Sequence, residues 1–311
     1  MGTVHVAKSR RWLDQVLSLA PEFADKPIAR IKRGDLLDLR AWLEGELTGK
    51  PNTTNKMVST VKTVLSEAFF RGDIDADPGS RVGVLEYQQR RRGVMEILEV
   101  REILSKRPGE MATSPLVDLA IALLFCTGLR VGEVRALRWD AIDMDTGRCL
   151  IREAFKNEKE IGKPKWDKSR DIVLPLLLLR RLEAWHELHP PDDPRQFILS
   201  VGGGPPVGVT WLRNCFKRVL ASAEASADIA FVAGDRWLTP HSCRHSLNSH
   251  LLAAETSPLL CQSFLGWSSV EVQTLTAVQK GYSHLQLLNL QDVADTIDRL
   301  YGPLKEQAAQ A

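Results

Sequence analysis

A chain of 311 residues that is 44% hydrophobic and 26% charged is long enough for two globular domains and ordinary in composition. Its net charge of +2 selects no partner by itself, and the charge is only weakly uneven, with 16 basic and 12 acidic residues in 1–92. Membrane insertion, secretion, a disulfide framework and a zinc site are all disfavoured. The apolar run Leu116 to Phe125 is about half the roughly 20 residues a membrane helix needs. The start is polar and basic rather than signal-like, and the five cysteines (Cys126, Cys149, Cys215, Cys243, Cys261) are scattered without a CxxC pair. These features predict a cytoplasmic protein with no membrane partner.

Residues 1–92 read as helices. RRWLDQVLSL and GDLLDLRAWLEGEL carry apolar residues at helical spacing, and TNKMVSTVKTVLSEAFFRGDI puts Met57, Val61, Val64, Leu65 and Ala68 on one stripe. Gly72 is a helix stop, and DIDADPGS is a loop broken by Pro78. Such helices can form an independent bundle. The polar, basic run Gln88 to Gly93 reads as a linker, which divides the chain into domains 1–90 and 91–311.

Beyond the linker, VMEILEVREILSK and PLVDLAIALLFCTG are helical, the second apolar all round and hence buried. RCLIREAF and SRDIVLP are strand-like around the polar KNEKEIGKPKWDK, which predicts a small antiparallel sheet with a charged connection. Helices return at LLLLRRLEAWHEL, VTWLRNCFKRVLASAE, PHSCRHSLNSHLLAAE, SPLLCQSFLGW and LQLLNLQDVADTIDRLY. In the last, Leu287, Leu290, Ala294, Ile297 and Tyr301 share a face that must be buried; it is expected on a neighbouring protomer, with packing on the same domain as the alternative. The predicted class is mainly α (α+β): an N-terminal helical bundle and a mostly helical second domain with a small antiparallel β-sheet.

Four segments hold candidate chemistry. In CTGLRVGEVRALRW, Gly128 ends a helix in a left-handed turn, Arg130 sits on that turn, and Glu133 is spaced to orient its guanidinium; a surface ion pair fits the same spacing. In TPHSCRHS, Thr239 suits an N-cap and Pro240 the first helical position. His241 and Arg244 then share a face of the first turn, where the helix dipole suits a phosphate, while His245 points elsewhere. KPKWDKSRDIVLP offers Lys163, Lys165 and Lys168 near a strand start, where lysines also serve merely to protect an edge. FLGWSSVEVQTLTAVQKGYSHL holds Trp267 and Tyr282, the latter one of three tyrosines with Tyr87 and Tyr301.

The order TGLRxGE, hairpin lysine, HxxRH, LGW and YSH resembles the catalytic domain of the tyrosine recombinase (phage integrase) family. TNKMVSTVKTVLSEAFFRGDIDADP is similar to the family's core-binding domain, so the likeness spans nearly the whole chain. The resemblance implies that Arg130 and Arg244 clamp the scissile phosphate, that His241 lies beside it, and that Trp267 fills a position held by His or Trp in the family. It also implies that Tyr282 is the nucleophile and that Glu133 supports Arg130. Lys165 matches the hairpin lysine because Ser169 follows at the usual offset, with Lys163 as the other choice. Trp267 and Tyr282 stand 15 residues apart, farther than is usual in the family.

The implied activity is cleavage and rejoining of double-stranded DNA through a 3′-phosphotyrosyl link. Arginines would stabilise the charge that develops on phosphorus, and a lysine would protonate the leaving oxygen. That chemistry needs no metal and no cofactor. Implied partners are DNA, a homotetramer on synapsed sites and accessory DNA-bending proteins. The long spacer inclines the reading to a phage or other mobile element, and the short stretch ahead of the core-binding helices leaves little room for an N-terminal arm-binding domain. A type IB topoisomerase-like enzyme, and a catalytically inactive DNA-binding or accessory protein on the same fold, stay open as alternatives.

Overall fold

The computed structural model describes residues 3–88, 92–106, 114–164, 169–226, 231–267 and 283–303. It divides into two compact units, Met1–Arg90 and Arg91–Ala311.

The first unit holds α1 (Thr3–Leu19), α2 (Pro21–Ala24), α3 (Arg33–Glu46) and α4 (Pro51–Arg71). Proline opens α4 where no backbone donor is needed, and Gly72 closes it at φ 80°. Its buried stripe is Thr54, Met57, Val58, Val61, Leu65 and Ala68, packed on Val16, Leu36, Leu39 and Leu43. Val64, expected on the stripe, is 39% exposed. A period of 3.6 residues carries it off the stripe's centre, and Val58 takes the place. Asn55 pins the segment after α4 with a reciprocal pair: its Nδ2 donates to Leu85 O at 2.9 Å, and its Oδ1 accepts from Leu85 N at 2.7 Å.

The second unit contains α5 (Ile97–Ser105), α6 (Pro115–Thr127), α7 (Val131–Ala136), α8 (Leu176–Leu188), α9 (Val209–Ala225), α10 (Pro240–Ala253), α11 (Pro258–Leu265) and α12 (Ser283–Tyr301). Every residue of α6 from Leu116 to Thr127 except Asp118 is buried, and α5, α7, α8, α9 and α10 pack around it. The five cysteines are buried and unpaired, so they act as small core side chains. No described helix is long and apolar enough to cross a membrane.

The expected sheet forms between β1 (Arg148–Ile151) and β4 (Arg170–Val173), antiparallel, with Cys149 opposite Ile172. A second antiparallel pair joins β2 (Ala154–Phe155), the end of the strand-like RCLIREAF, to β3 (Ile161–Gly162), which lies in the charged connection and was not expected as a strand. Asn157 makes the turn that allows it: its Oδ1 accepts from Lys159 N and Glu160 N, both at 2.9 Å, while Lys156 N donates to Glu160 O at 2.8 Å. Arg135 of α7, almost wholly buried, fastens this hairpin by donating to Asn157 O and Glu158 O at 3.2 and 3.3 Å. Its guanidinium also lies 4.3 Å from the Phe155 ring centroid.

The C-terminal helix packs on its own unit. Leu290, Val293, Ala294, Ile297 and Tyr301 are buried in the same core as α6, so the face expected to be covered by a neighbouring protomer is covered by the chain itself. Asp298 caps α8 through Leu176 N and Leu177 N at 2.7 and 2.9 Å, and Arg101 of α5 caps α12 by donating to Leu300 O at 3.0 and 2.9 Å. The side chain of Leu287 lies outside the described residues.

Candidate functional site

Three loop-to-helix corners of the second unit meet at one place. Gly128 ends α6 with φ 58°, and Arg130 follows on the turn into α7. Gly266 ends α11 with φ 66°, and Trp267 follows. Thr239 precedes α10, whose first turn carries His241 and Arg244. The left-handed corners let the chain double back, so side chains far apart in sequence converge.

Glu133 is the hub. It is 1% exposed and takes an N–H from Arg130 Nη1 at 2.8 Å on one oxygen. Its other oxygen accepts from Arg130 N at 3.1 Å and from Arg170 Nη2 at 2.9 Å. Burial alone would raise this carboxyl; the hydrogen bond and charge of Arg170, with the Arg130 N–H and charge, outweigh it and hold the group below the ordinary carboxylate range. Glu133 is therefore a buried anion between two arginines, not one half of a surface pair.

Arg130 also donates Nη2 to Gly266 O at 3.1 Å, and Arg170 donates Nε to Phe264 O at 3.0 Å. A Cβ on Gly266 would stand 2.7 Å from the Arg170 guanidinium carbon, so the LGW glycine is required by that close approach as well as by its φ.

Arg244 is 1% exposed. Its Nη1 donates to Gly128 O at 2.9 Å, its Nη2 donates to Leu265 O, and its charge centre lies 5.1 Å from the Trp267 ring centroid. Its Nε is buried with no partner. Burial, then the like charge of Arg130, push this guanidinium down to about 9, with Glu133 pulling it back up in part and Arg170 adding a last push down. It remains protonated at neutral pH, crowded by its own kind. Three arginines and one carboxylate leave the cluster with surplus positive charge.

His241 is half-buried, and its imidazole is lowered to about 4 by burial first, then by the charges of Arg92, His245, Arg244 and Arg130. It is neutral at pH 7 and can both donate and accept a hydrogen bond. His245, expected to point elsewhere, stands edge-on to His241 with ring centroids 5.0 Å apart, one helical turn along. Thr239 occupies the N-cap position, but its hydroxyl is buried without a partner; Ser242 Oγ accepts the Thr239 N–H at 3.1 Å in its stead.

The structure thus gathers Arg130, Glu133, Arg244, His241 and Trp267. Lys163 is exposed just after β3. Lys165, Lys168 and Tyr282 lie outside the described residues. Of the other tyrosines, Tyr301 is sealed in the core, its hydroxyl 2.8 Å from His250 Nδ1 and its acidity suppressed by burial. Tyr87 belongs to the first unit. The sequence reading missed Arg170 because it attended to the lysines of KPKWDKSRD. An arginine opening a strand whose later residues are apolar and buried was the available signal. Among the described residues no cluster of His, Cys, Asp or Glu is arranged to hold a metal ion.

The fold and this cationic corner define a class within which the chain can be placed. The profile of the phage integrase family matches residues 95–280, more than half of the sequence. The chain therefore belongs to the phage integrase family, the tyrosine-type site-specific recombinases. A tyrosine recombinase XerC of Mycobacterium leprae is 28% identical over 275 residues, covering 85% of each chain. One from Mycobacterium bovis is 27% identical over 307 residues, covering 91% of this chain and 90% of the relative. Among solved structures, a Tn1549 transposon integrase in complex with circular-intermediate DNA superposes with a TM-score of 0.67 at 18% identity, covering 87% of this chain and 91% of that one. A lambda integrase dimer bound to a core site gives 0.66 at 18% identity, covering 89% and 91%. At such identities these structures speak for the fold.

Proposed function

We propose that this protein cleaves and rejoins double-stranded DNA at specific sites through a 3′-phosphotyrosyl intermediate. The observation that carries the reading is the cluster of buried Arg244 with partly buried Arg130 and Arg170 around the single buried carboxylate of Glu133, with surplus positive charge and an unpartnered Arg244 Nε. Burying like charges is costly, and a phosphodiester is the anion that this arrangement of forked donors suits.

In this reading Arg130 and Arg244 bind the non-bridging oxygens and stabilise the charge that grows on them in the transition state. Glu133 holds Arg130 in orientation. Neutral His241 and the Trp267 ring flank the phosphate. The Tyr282 phenol gives up its proton to solvent as its oxygen attacks phosphorus, the bond to the 5′ oxygen breaks, and Lys165 gives that oxygen a proton. Attack by a 5′ hydroxyl from another strand reverses the step and releases the tyrosine. Residues 1–90 serve as the core-DNA-binding domain and 91–311 as the catalytic domain. Work is done by a homotetramer on synapsed sites, as the lambda integrase tetramer bound to a Holliday junction illustrates for that protein. A phage or other mobile element is the proposed origin, on the strength of the long spacer between Trp267 and Tyr282.

The test is a suicide substrate nicked beside the cleavage point, which traps the adduct by losing the attacking strand. Wild type should give a protein–DNA band that survives denaturant, and Tyr282→Phe should bind DNA yet give none. Mass spectrometry that finds the nucleotide on another residue overturns the assignment. A substrate with sulfur as the leaving atom needs no proton, so it should rescue Lys165→Ala; rescue of Lys163→Ala alone would transfer the role to Lys163.

A further inference from the structure

The basic run that leads into the second unit ends at Arg92, and the chain is fastened there. Arg92 pairs with Trp237 in a parallel bridge, and Gly93 N donates to Trp237 O at 3.1 Å. The Arg92 guanidinium lies 5.3 Å from the Trp237 ring centroid. The two segments run flush: a Cβ on Gly93 would stand 2.9 Å from Arg236 Cβ and 3.0 Å from Leu238 Cδ2. Arg236 is in turn anchored by Glu99, with Nη1 and Nη2 donating at 2.8 and 2.7 Å. Trp237 lies just ahead of Thr239 and Pro240, where α10 begins. The bridge therefore delivers the Arg92 cation to the first turn of the helix that carries His241 and Arg244.

Two further observations point the same way. Stacking on an indole occupies the face of a guanidinium and leaves its N–H edge for an anion. The charged and titratable groups bearing on His241 are Arg92 from the linker end, His245 and Arg244 from α10, and Arg130 from the turn before α7; after burial, Arg92 weighs most. His245 has the same order, burial and then Arg92 ahead of Arg244.

We propose that Arg92 is a further phosphate-binding residue of the strand-transfer site, set in place by its bridge to Trp237 and acting beside His241. This rests on the reading of the site given above and adds a contact from outside the motifs that carry the family resemblance. Arg92 belongs to the approach of the chain, so the same residue that ends the linker would touch the DNA backbone at the reacting centre.

The test compares the full-length protein with Arg92→Gln and Arg92→Lys. In the DNA-free protein, histidine titrations followed by NMR and assigned with His241→Asn should show the His241 and His245 midpoints moving to higher pH in Arg92→Gln and staying in place in Arg92→Lys. Binding to a duplex carrying the recombination site should lose about one unit of its logarithmic salt slope in Arg92→Gln, the amount for one lost phosphate contact. Both changes together support the proposal. If either the midpoints or the salt slope are unchanged in Arg92→Gln, the proposal is overturned. Neither readout requires strand cleavage, so absence of a Tyr282 adduct in the wild type would sink the catalytic reading while leaving this one separately decided.

Discussion

Replacing Glu133 with glutamine keeps the shape of the side chain and removes its charge, and the geometry fixes what is lost. If the amide nitrogen takes the Oε1 position it faces Arg130 Nη1 and Arg170 Nη1, which stand 2.8 and 3.4 Å away. In the Oε2 position it faces Arg130 N and Arg170 Nη2, at 3.1 and 2.9 Å. Either way donors meet a donor. A hydrogen bond to a charged group contributes about 1.5–3 kcal/mol, and breaking a buried ion pair by removing one partner costs about 3–5 kcal/mol. The expected loss for Glu133→Gln is therefore about 3–5 kcal/mol, a large part of the roughly 5–15 kcal/mol that holds a typical domain folded. Urea unfolding followed by the fluorescence of the second unit's tryptophans measures it. In the fraction that stays folded, Arg130 has lost its orienting partner, so adduct formation should fall on the order of 10²-fold while DNA affinity changes little. An unchanged urea midpoint together with unchanged adduct formation would refute the view of Glu133 as hub.

Gly132→Ala should destabilise the second unit by about 1–3 kcal/mol, because its Cβ would stand 2.4 Å from Phe155 O, a carbonyl of β2 that cannot swing aside without breaking the β2–β3 pair; a thermal melt equal to wild type would contradict this. Acid should weaken the fold. His241 is lowered from 6.5 to about 4, and His245 and His250 are lowered as well, burial being the first cause in each. The unfolded chain then binds protons that the folded chain refuses, so stability is complete above about 6.5 and is lost as pH falls towards about 4. Melting temperatures flat across that window would disprove it.

Much of the site could be read from sequence because its parts sit at helix ends, where local rules are strict. Gly128 announces a left-handed corner and Pro240 the start of α10, so the sequence itself puts Arg130 on a turn and His241 and Arg244 on the first turn of a helix. What sequence could not show was contact between elements. Arg170 reaches Glu133 across the fold, and no spacing links two residues so far apart along the chain. His245 was assigned to another face, yet its ring meets that of His241 one turn away. Of the second hairpin, β2 lies in a stretch that reads as strand, while β3 is hidden in the charged connection because a two-residue strand has no periodicity to detect. Arg135 fastens that hairpin from inside the motif that carries Arg130 and Glu133, through contacts that no spacing along the chain announces. For α12 the apolar face predicted burial correctly, but amphipathicity names no partner; only the fit against α5, α8, α10 and β4 assigns the face to the same chain.

The seat of α12 sets a limit on reach. Tyr282 precedes the helix directly, and Leu290, sealed in the core, lies eight residues further on. A helical path of that length covers about 12 Å, and a fully extended one no more than about 28 Å. The proposed nucleophile is thus leashed from its C-terminal side to its own unit, whatever course the residues before it take. A group on so short a leash is present at an effective concentration of millimolar order or above wherever the leash allows it to go. Attack on a phosphate held by the chain's own arginines then proceeds as an intramolecular reaction. Delivery to a neighbour's phosphate demands either that the neighbour bring it inside that radius or that α12 leave its seat and expose Leu290, Val293, Ala294, Ile297 and Tyr301 to water. The choice of which strand is cut becomes a question of how closely two protomers can be docked.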